Sequence, residues 1–447
     1  MFGKSFFFYD LETSGLNPRT DRVMQFAGQR VDMDLNPIGE SVNILVKMTE
    51  DALPSPSAIA VTKITPQQTL RDGISEKEFA DFINEKIFTP DTVTVGYNTV
   101  RFDDEFMRAL LWRNFYDAYE WEWKDGRSRW DMLDVVRLTR ALRPDGIDWP
   151  FTEDGKPTNR LELLTKLNGL SHEHAHDALS DVYATIAVAK MIREKQPKLF
   201  EYLLRMREKN AVKKLVNLDE KQPFVYVSGR YSSEHNKTTV AFPLTSGRNG
   251  NVLVFDLRYN LEELVDDKYY PIVKELCFNK CPAVAPISVL ENGGWEKIGL
   301  DKETVEKNLE ILNKHPEFAE QMRLKNEEEK EFPKALEPEA ALYDGFLNDR
   351  DRIKVAAVRN AGPNKLADFH PDFDDERLPE LLLHYKGRNY PETLSESENE
   401  KWKEYKKVRL ERQTPKFLAE LQGIYDKDEY IAEELKLYFE SLFDTDY

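Results

Sequence analysis

The sequence predicts an α/β domain over residues 1–196, a β-rich domain over 197–337 and an α-helical domain over 338–447. Three observations support this division. Apolar runs of strand length alternate with helical periodicity through the first unit. Short β-rich runs, Phe224–Ser228, Thr238–Phe242 and Val252–Leu257, then appear between Gly, Asn and Ser residues, as in a small barrel or sandwich with inserted helices. From Glu339 onward the pattern is helical and heavily charged, ending in Glu429–Phe443. A chain of 447 residues also exceeds what one ordinary core accommodates.

The first strand is the aromatic-rich Phe6–Leu11, followed by strands around Val23–Val31 and Ser41–Val46. Helical periodicity at Glu76–Ile87 precedes a β-rich apolar run, Thr92–Tyr97. A long helix is expected from near Asp103 and another over about Asp131–Ala141. A third is expected over Asp177–Glu194, where Ala178, Val182, Ile186 and Ala189 recur at helical spacing. Asp177 suits its N-cap, and Pro197 is expected to end the segment. The acidic stretch Asn326–Glu331, followed by Pro333, reads as a solvated helix end or linker.

The composition, 40% hydrophobic and 32% charged, is that of a soluble globular protein. No apolar stretch approaches the roughly 20 residues that span a bilayer. Asp10 and Glu12 interrupt the N-terminal apolar run without a following cleavage site, so no signal peptide is expected. Cys277 and Cys281 lack a second cysteine pair or a nearby histidine, which argues against zinc and for free thiols in a reducing cytoplasm. The net charge of -18 argues against indiscriminate duplex binding, although basic residues gathered in one channel remain compatible with it.

Asp10 and Glu12 lie two apart on a strand and therefore share a face, opposite Tyr9 and Leu11. Two carboxylates there repel each other unless a cation lies between them. Taken alone, the pair also fits a strand running into solvent. Asp103 and Asp104 follow the strand that ends at Gly96–Asn98, at the sheet edge where Asp10 would emerge if the two strands are neighbours. Capping of the following helix by either aspartate is the alternative. Asp181 lies in the first turns of the helix after Asp177, and His176 just precedes it, placed as a general base or as an ordinary loop histidine.

Together D-x-E, a distant Asp and H-x4-D resemble the DEDD superfamily of 3′→5′ exonucleases, in its histidine subtype. The likeness is closer to bacterial exonuclease I. It is carried by residues 96–105 (Gly-Tyr-Asn-Thr-Val-Arg-Phe-Asp-Asp-Glu), 128–135, 141–150 and 175–187, and continues through 279–282, 342–346 and 385–391. The resemblance implies a ribonuclease-H-like exonuclease domain, an SH3-like domain and a C-terminal helical domain. It implies a processive enzyme of DNA repair and recombination that degrades single-stranded DNA from its 3′ end and releases 5′-mononucleotides. Asp10, Glu12 and Asp181 would hold two Mg²⁺ ions, with Mn²⁺ as a substitute. Asp103 would complete the acidic cluster and His176 would deprotonate the attacking water.

Five of the seven tryptophans fall between Trp112 and Trp149, interleaved with six arginines and preceded by Arg108, a mixture suited to stacking bases and holding phosphates. About half of these tryptophans are expected in the core. Beside Glu12, the resemblance points to Arg108, Tyr119, Trp123, Arg137, Arg143 and Arg160 as strand contacts, with Lys209, Lys274, Asn279 and Tyr343 from the other domains. Asn159 stands where better-known members carry an aromatic residue. The family also docks the acidic tail of single-strand-binding protein, for which the basic residues of Lys403–Arg412 are candidates. A monomer is expected. The competing readings are an exoribonuclease of the same superfamily and a non-catalytic single-stranded-DNA-binding repair scaffold. The roughly 250 residues beyond the nuclease domain argue against the first, and the complete set of catalytic-type residues against the second.

Overall fold

The computed structural model describes residues 3–171, 177–264, 272–291, 293–328 and 335–443. Its N-terminal sheet has five strands, β1 (Ser5–Thr13), β2 (Val23–Val31), β3 (Val42–Leu45), β4 (Thr92–Gly96) and β5 (Ser128–Asp131), in the order β3-β2-β1-β4-β5. β1 pairs antiparallel with β2 and parallel with β4, and β4 pairs parallel with β5. The β1–β4 register ends at Phe8↔Val95, so Asp10 and Glu12 project beyond the end of β4. Ligand sites of parallel sheets form at such carboxyl ends.

Side-chain alternation along β1 divides its residues between two cores. Phe6 and Phe8 pack with Val93, Val95 and Val182, whereas Phe7, Tyr9 and Leu11 pack with Phe79, Phe106 and Leu110. Helix α1 (Asp103–Arg113) thus covers the Tyr9 face. Helices α2 (Met132–Leu142) and α3 (Ala178–Lys195) cover the face that carries Asp10 and Glu12. The N-caps follow from local chemistry. Asp131 accepts from the Leu133 amide at 2.9 Å and Asp177 from the Ser180 amide at 3.0 Å. Neither Asp103 nor Asp104 caps α1, because the cap position is Phe102.

α3 ends at Lys195, just before Pro197, as expected. Pro197 then occupies the first turn of a new helix, Pro197–Met206, where its missing N–H is no loss. Phe200 and Leu203 of that helix join the α/β core, and a further helix, Lys209–Leu215, precedes the first barrel strand. The second sheet is antiparallel throughout, with β6 (Phe224–Val227), β7 (Thr238–Ser246), β8 (Val252–Asp256), β9 (Val273–Leu276) and β10 (Val284–Pro286) in the order β10-β6-β7-β8-β9. Its Val225, Val240 and Phe255 share one continuous core with Trp130, Val135 and Phe200. The change in sequence texture therefore does not mark a break in packing.

The C-terminal part is helical, with the 29-residue α4 (Glu396–Ile424) as its longest element. It packs on the α/β domain at two places: Leu410, Phe417 and Leu421 against Met24, Met48 and Ile59, and Val358, Leu381 and Tyr385 against Trp112 and Phe115. Between these contacts lies a buried group of charges. Asp51 and Glu339 each pair with Arg22, Arg388 and Arg409. No described helix is long and apolar enough to cross a membrane.

Candidate active site

The structure brings Asp10, Glu12 and Asp181 together. One carboxylate oxygen from each lies within 4.8 Å of the other two, and all three residues are half-buried. β1 supplies the first two from one face, and the first turn of α3, packed on that face, supplies the third. Asp103 stands behind them and accepts the Leu11 amide proton at 3.2 Å. That amide is available because β1 has outrun β4. His176 lies outside the described residues.

The electrostatics of this group are one-sided. Burial raises the Asp10 carboxyl well above its usual range, and Asp103, Asp181 and Asp177 raise it further. Burial, then Asp10 and Asp181, push Glu12 up to about 9. Among the described residues no lysine or arginine opposes these shifts. Carboxylate oxygens suit a hard divalent cation, whose opposed ligand oxygens lie about 4 Å apart. The donor chemistry and clustering of the three residues therefore fit such an ion.

The opposite face of β1 is arranged differently. Tyr9 donates from its hydroxyl to buried Asp104, and Arg129 pairs with the same carboxylate. The alternation rule foreshadows this arrangement, because a buried tyrosine hydroxyl on the face away from Asp10 needs a partner.

The remaining candidates divide into buried and open positions. Arg108 is buried, 2.5 Å from Glu122 and 2.7 Å from Glu105, rather than on an open face. Its guanidinium carbon lies 5.7 Å from the centroid of the Tyr119 ring, which in turn is 6.5 Å from that of Tyr343. Trp123 is 64% exposed, whereas Trp112, Trp121 and Trp130 are core residues. Arg137 is held by Asp134 at 2.7 Å but leaves its buried Nε without an acceptor. Gly229 permits the close approach of this guanidinium, since a Cβ there would lie 3.1 Å from it. Arg143 and Lys209 are exposed, and Arg160, also exposed, pairs with Glu162 at 2.5 Å. Asn279 is exposed, although its carbonyl is occupied by Arg129. Lys274 is only 5% exposed, and its ammonium lies 3.1 Å from the centroid of the Tyr231 ring with no hydrogen-bond acceptor.

The basic run Lys403–Arg412 is not one open surface. Arg409 is buried with Glu339, Lys406 binds Glu50 at 2.9 Å and Arg412 pairs with Glu337, because this side of α4 docks on the α/β domain. Lys403 and Lys407 remain exposed.

Comparison with known proteins covers the whole chain. The Exonuclease family model matches residues 7–189, the Exonuclease I SH3-like domain 207–272 and 266–326, and the Exonuclease I C-terminal domain 336–442. Exodeoxyribonuclease I of Haemophilus influenzae is 41% identical over 97% of this chain and 96% of its own length. Exonuclease I of Methylocaldum szegediense superposes with a TM-score of 0.92 at 39% identity, covering 98% of this chain and 100% of that one. Escherichia coli exonuclease I in complex with a dA16 oligonucleotide gives 0.92 at 36% identity, with the same coverage. Another structure of the E. coli protein holds a zinc ion with single-stranded DNA, and a further similar structure is of SSB/exonuclease I in complex with an inhibitor. This chain belongs to the exonuclease I family.

Proposed function

We propose that this chain is a single-strand-specific 3′→5′ exodeoxyribonuclease that releases 5′-mononucleotides with two Mg²⁺ ions, or Mn²⁺ in their place. The observation that carries this reading is the acidic group Asp10–Glu12–Asp181, in a chain that matches exodeoxyribonuclease I over 97% of its length. Bound ions would supply a low-pKa water and charge neutralisation on the phosphodiester oxygens. The protein's own residues do the rest. Asp10, Glu12 and Asp181 would hold the ions. Asp103, tied to the Leu11 amide, supports Asp10 from behind. His176 takes the proton of the attacking water.

The strand path is read from buried donors without acceptors and from exposed cations and rings. Lys274 and Arg137 each keep a buried donor without an acceptor, the first over Tyr231 and the second against Gly229 of the same barrel loop, as suits a backbone phosphate. Arg143, Arg160 and Lys209 add exposed cations, Asn279 an exposed amide, and Tyr119, Trp123 and Tyr343 stacking surfaces. Many such contacts resist dissociation between cuts, which supports processivity. The domain limits 196/197 and 337/338 belong to this reading, as do a monomeric enzyme, work on chromosomal single strands in the cytoplasm, and docking of the acidic tail of single-strand-binding protein, with Lys403 and Lys407 as the available cations of the 403–412 run.

The test follows a 5′-labelled single-stranded oligodeoxynucleotide with Mg²⁺, beside EDTA, duplex and RNA arms. A ladder shortening from the 3′ end and abolished by EDTA is expected. Tight binding without cleavage in either metal would establish a scaffold instead. Preferential loss of the RNA would overturn the substrate and keep the chemistry.

A further inference from the structure

Arg129 is buried on β5, outside the acidic group and absent from the strand path, yet its guanidinium joins three segments. Nη1 binds Asp104. Nη2 lies 3.0 Å from a Glu122 carboxylate oxygen and donates to the Asn279 carbonyl at 2.7 Å. The Arg129 carbonyl in turn accepts from the Cys281 thiol at 3.2 Å. Glu122 continues to Arg108 at 2.5 Å, and Arg108 to Glu105, which takes the Tyr343 hydroxyl. A polar chain thus runs from Asp104 through buried Arg129, half-buried Glu122 and buried Arg108 to Glu105 and the exposed Tyr343 of the C-terminal domain, with the barrel turn at 277–281 joined to it at Arg129.

The end of that chain nearest the cluster is the informative one. Asp104 holds two partners, Arg129 and the Tyr9 hydroxyl. Tyr9 immediately precedes Asp10, and Asp104 immediately follows Asp103. The start of α1 has no side-chain cap to fix it. Two adjacent aspartates at an uncapped helix start exchange places when the first turn slips by one residue, about 100° of rotation. What distinguishes them here is the arginine on one side.

We propose that Arg129 is a positioning residue for the acidic cluster. By clamping Asp104 against Tyr9 on the far face of the sheet, it fixes the first turn of α1 so that Asp103, and not Asp104, stands behind Asp10. The inference rests on the reading of the cluster as a metal site. Because the same guanidinium also holds the Asn279 carbonyl, the geometry of the cluster depends on docking of the barrel turn. A lysine reaches Asp104 but cannot serve Glu122 and the carbonyl together, so it replaces the fork only in part.

The test measures Mn²⁺ binding by calorimetry without DNA, and kcat and KM separately on a single-stranded oligonucleotide, for the full chain and for R129Q, R129K and Y9F. Residues that orient metal ligands change affinity or activity by about 10–100-fold. R129Q is expected to lower Mn²⁺ affinity and kcat by that range with KM within about twofold, and R129K to recover a large part of both. Y9F, which leaves the fork intact, is expected to move both the same way by less, and it serves if R129Q does not fold. Unchanged Mn²⁺ affinity and kcat in R129Q overturns the inference. So does a raised KM with unchanged kcat, which would make Arg129 a strand contact. R129K melting like wild type but binding Mn²⁺ no better than R129Q overturns it as well. A wild-type chain that binds no Mn²⁺ overturns the reading of the site itself, and the inference with it.

Discussion

Two buried groups of charges stand at the ends of one short loop, residues 14–22, and follow opposite electrostatics. Ser14 and Arg22 close that loop, the Ser14 amide donating to the Arg22 carbonyl at 2.8 Å. Just before it lie Asp10 and Glu12, whose charged neighbours are carboxylates. Just after it lies Arg22, in a group where every buried acid meets guanidinium. Asp51 is 2.7 Å from Arg388, 3.1 Å from Arg22 and 3.3 Å from Arg409. Burial alone would raise the carboxyls of both groups. In the second group Arg388, Arg22 and Arg409 overcome burial and hold Asp51 and Glu339 below the usual carboxylate range. In the first, Glu12 stands at about 9. A buried group with matched signs holds domains together, and half-buried carboxylates raised by one another, as Asp10 and Glu12 are, suit a bound cation.

The largest effect expected from this contrast is on catalysis. Asp181→Asn removes a ligand and should lower kcat by at least ~10³-fold, about 4 kcal/mol of barrier. It also removes an acid that, with burial, raises the Asp10 and Glu12 carboxyls, so the catalytic loss should come without a comparable fall in melting temperature in EDTA. A variant that melts well below wild type in EDTA would show that Asp181 holds the fold as Asp51 does, and the contrast would fail. Single-turnover kinetics and a thermal melt decide it.

Asp51→Asn should give the converse: folded molecules that still cut, but a large loss of stability. Removing one partner of a buried ion group costs about 3–5 kcal/mol. Chemical denaturation measures it, and a loss under ~1 kcal/mol would mean the group is ornamental. The pH dependence has a definite sign. The Asp51 and Glu339 carboxyls titrate below their unfolded values, so their stabilisation is complete above about pH 4. It is lost as the pH falls through the lower folded values. Acid titration followed by near-ultraviolet circular dichroism should therefore begin at higher pH in Asp51→Asn than in wild type.

The same contrast explains what the sequence makes legible. Strand alternation in Phe6–Glu12 and the helical spacing of Ala178–Ala189 are short-range signals, and they suffice to place Asp10, Glu12 and Asp181 on facing surfaces. Which of Asp103 and Asp104 faces Asp10 is decided by Arg129, 25 residues further along the chain from Asp104, and no local pattern reveals it. The arginines between Trp112 and Trp149 read alike in sequence. Arg113 is nevertheless buried on Glu76 and Arg140 on the carbonyls of Pro150 and Thr158, partners brought by tertiary packing. Pro197 ends α3 as expected, but what the sequence leaves unread is the helix that it opens, since proline suits the first turn of a helix as well as it ends one.

Lys274 supplies a cationic counterpart that sharpens the contrast with a smaller effect. Burial, then Arg230 and Lys237, push its ammonium down to about 8, against the opposing charge of Asp256. In the free chain this sign means stability rises as the pH climbs from about 8 toward the unfolded value near 10.4. A phosphate beside the ammonium favours its charged form. Oligonucleotide affinity in EDTA should therefore fall above pH 8, approaching about tenfold per pH unit. Lys274→Met should lose that fall and reduce the salt slope by about 0.7. Anisotropy titrations at pH 7 to 9.5 measure both. An unchanged pH profile in the variant would remove Lys274 from the strand path.

The smallest effect tests whether burial, rather than the mere presence of opposite charges, governs the second group. Arg409 and Arg412 sit one turn apart on α4, and both pair with Glu337. The Arg409 side chain is 1% exposed and also binds Asp51 and Glu339, whereas that of Arg412 is 49% exposed and has Glu337 alone among its described partners. Water already solvates the Arg412 guanidinium, so Arg412→Ala should cost no more than about 0.5–1 kcal/mol, less at high salt. Arg409→Met strips a charge from two enclosed carboxylates and should cost several-fold more. Equal losses in the two variants, read from denaturation midpoints at low and high salt, would mean that proximity of charge holds the domains together irrespective of solvent, and the distinction drawn from burial would collapse.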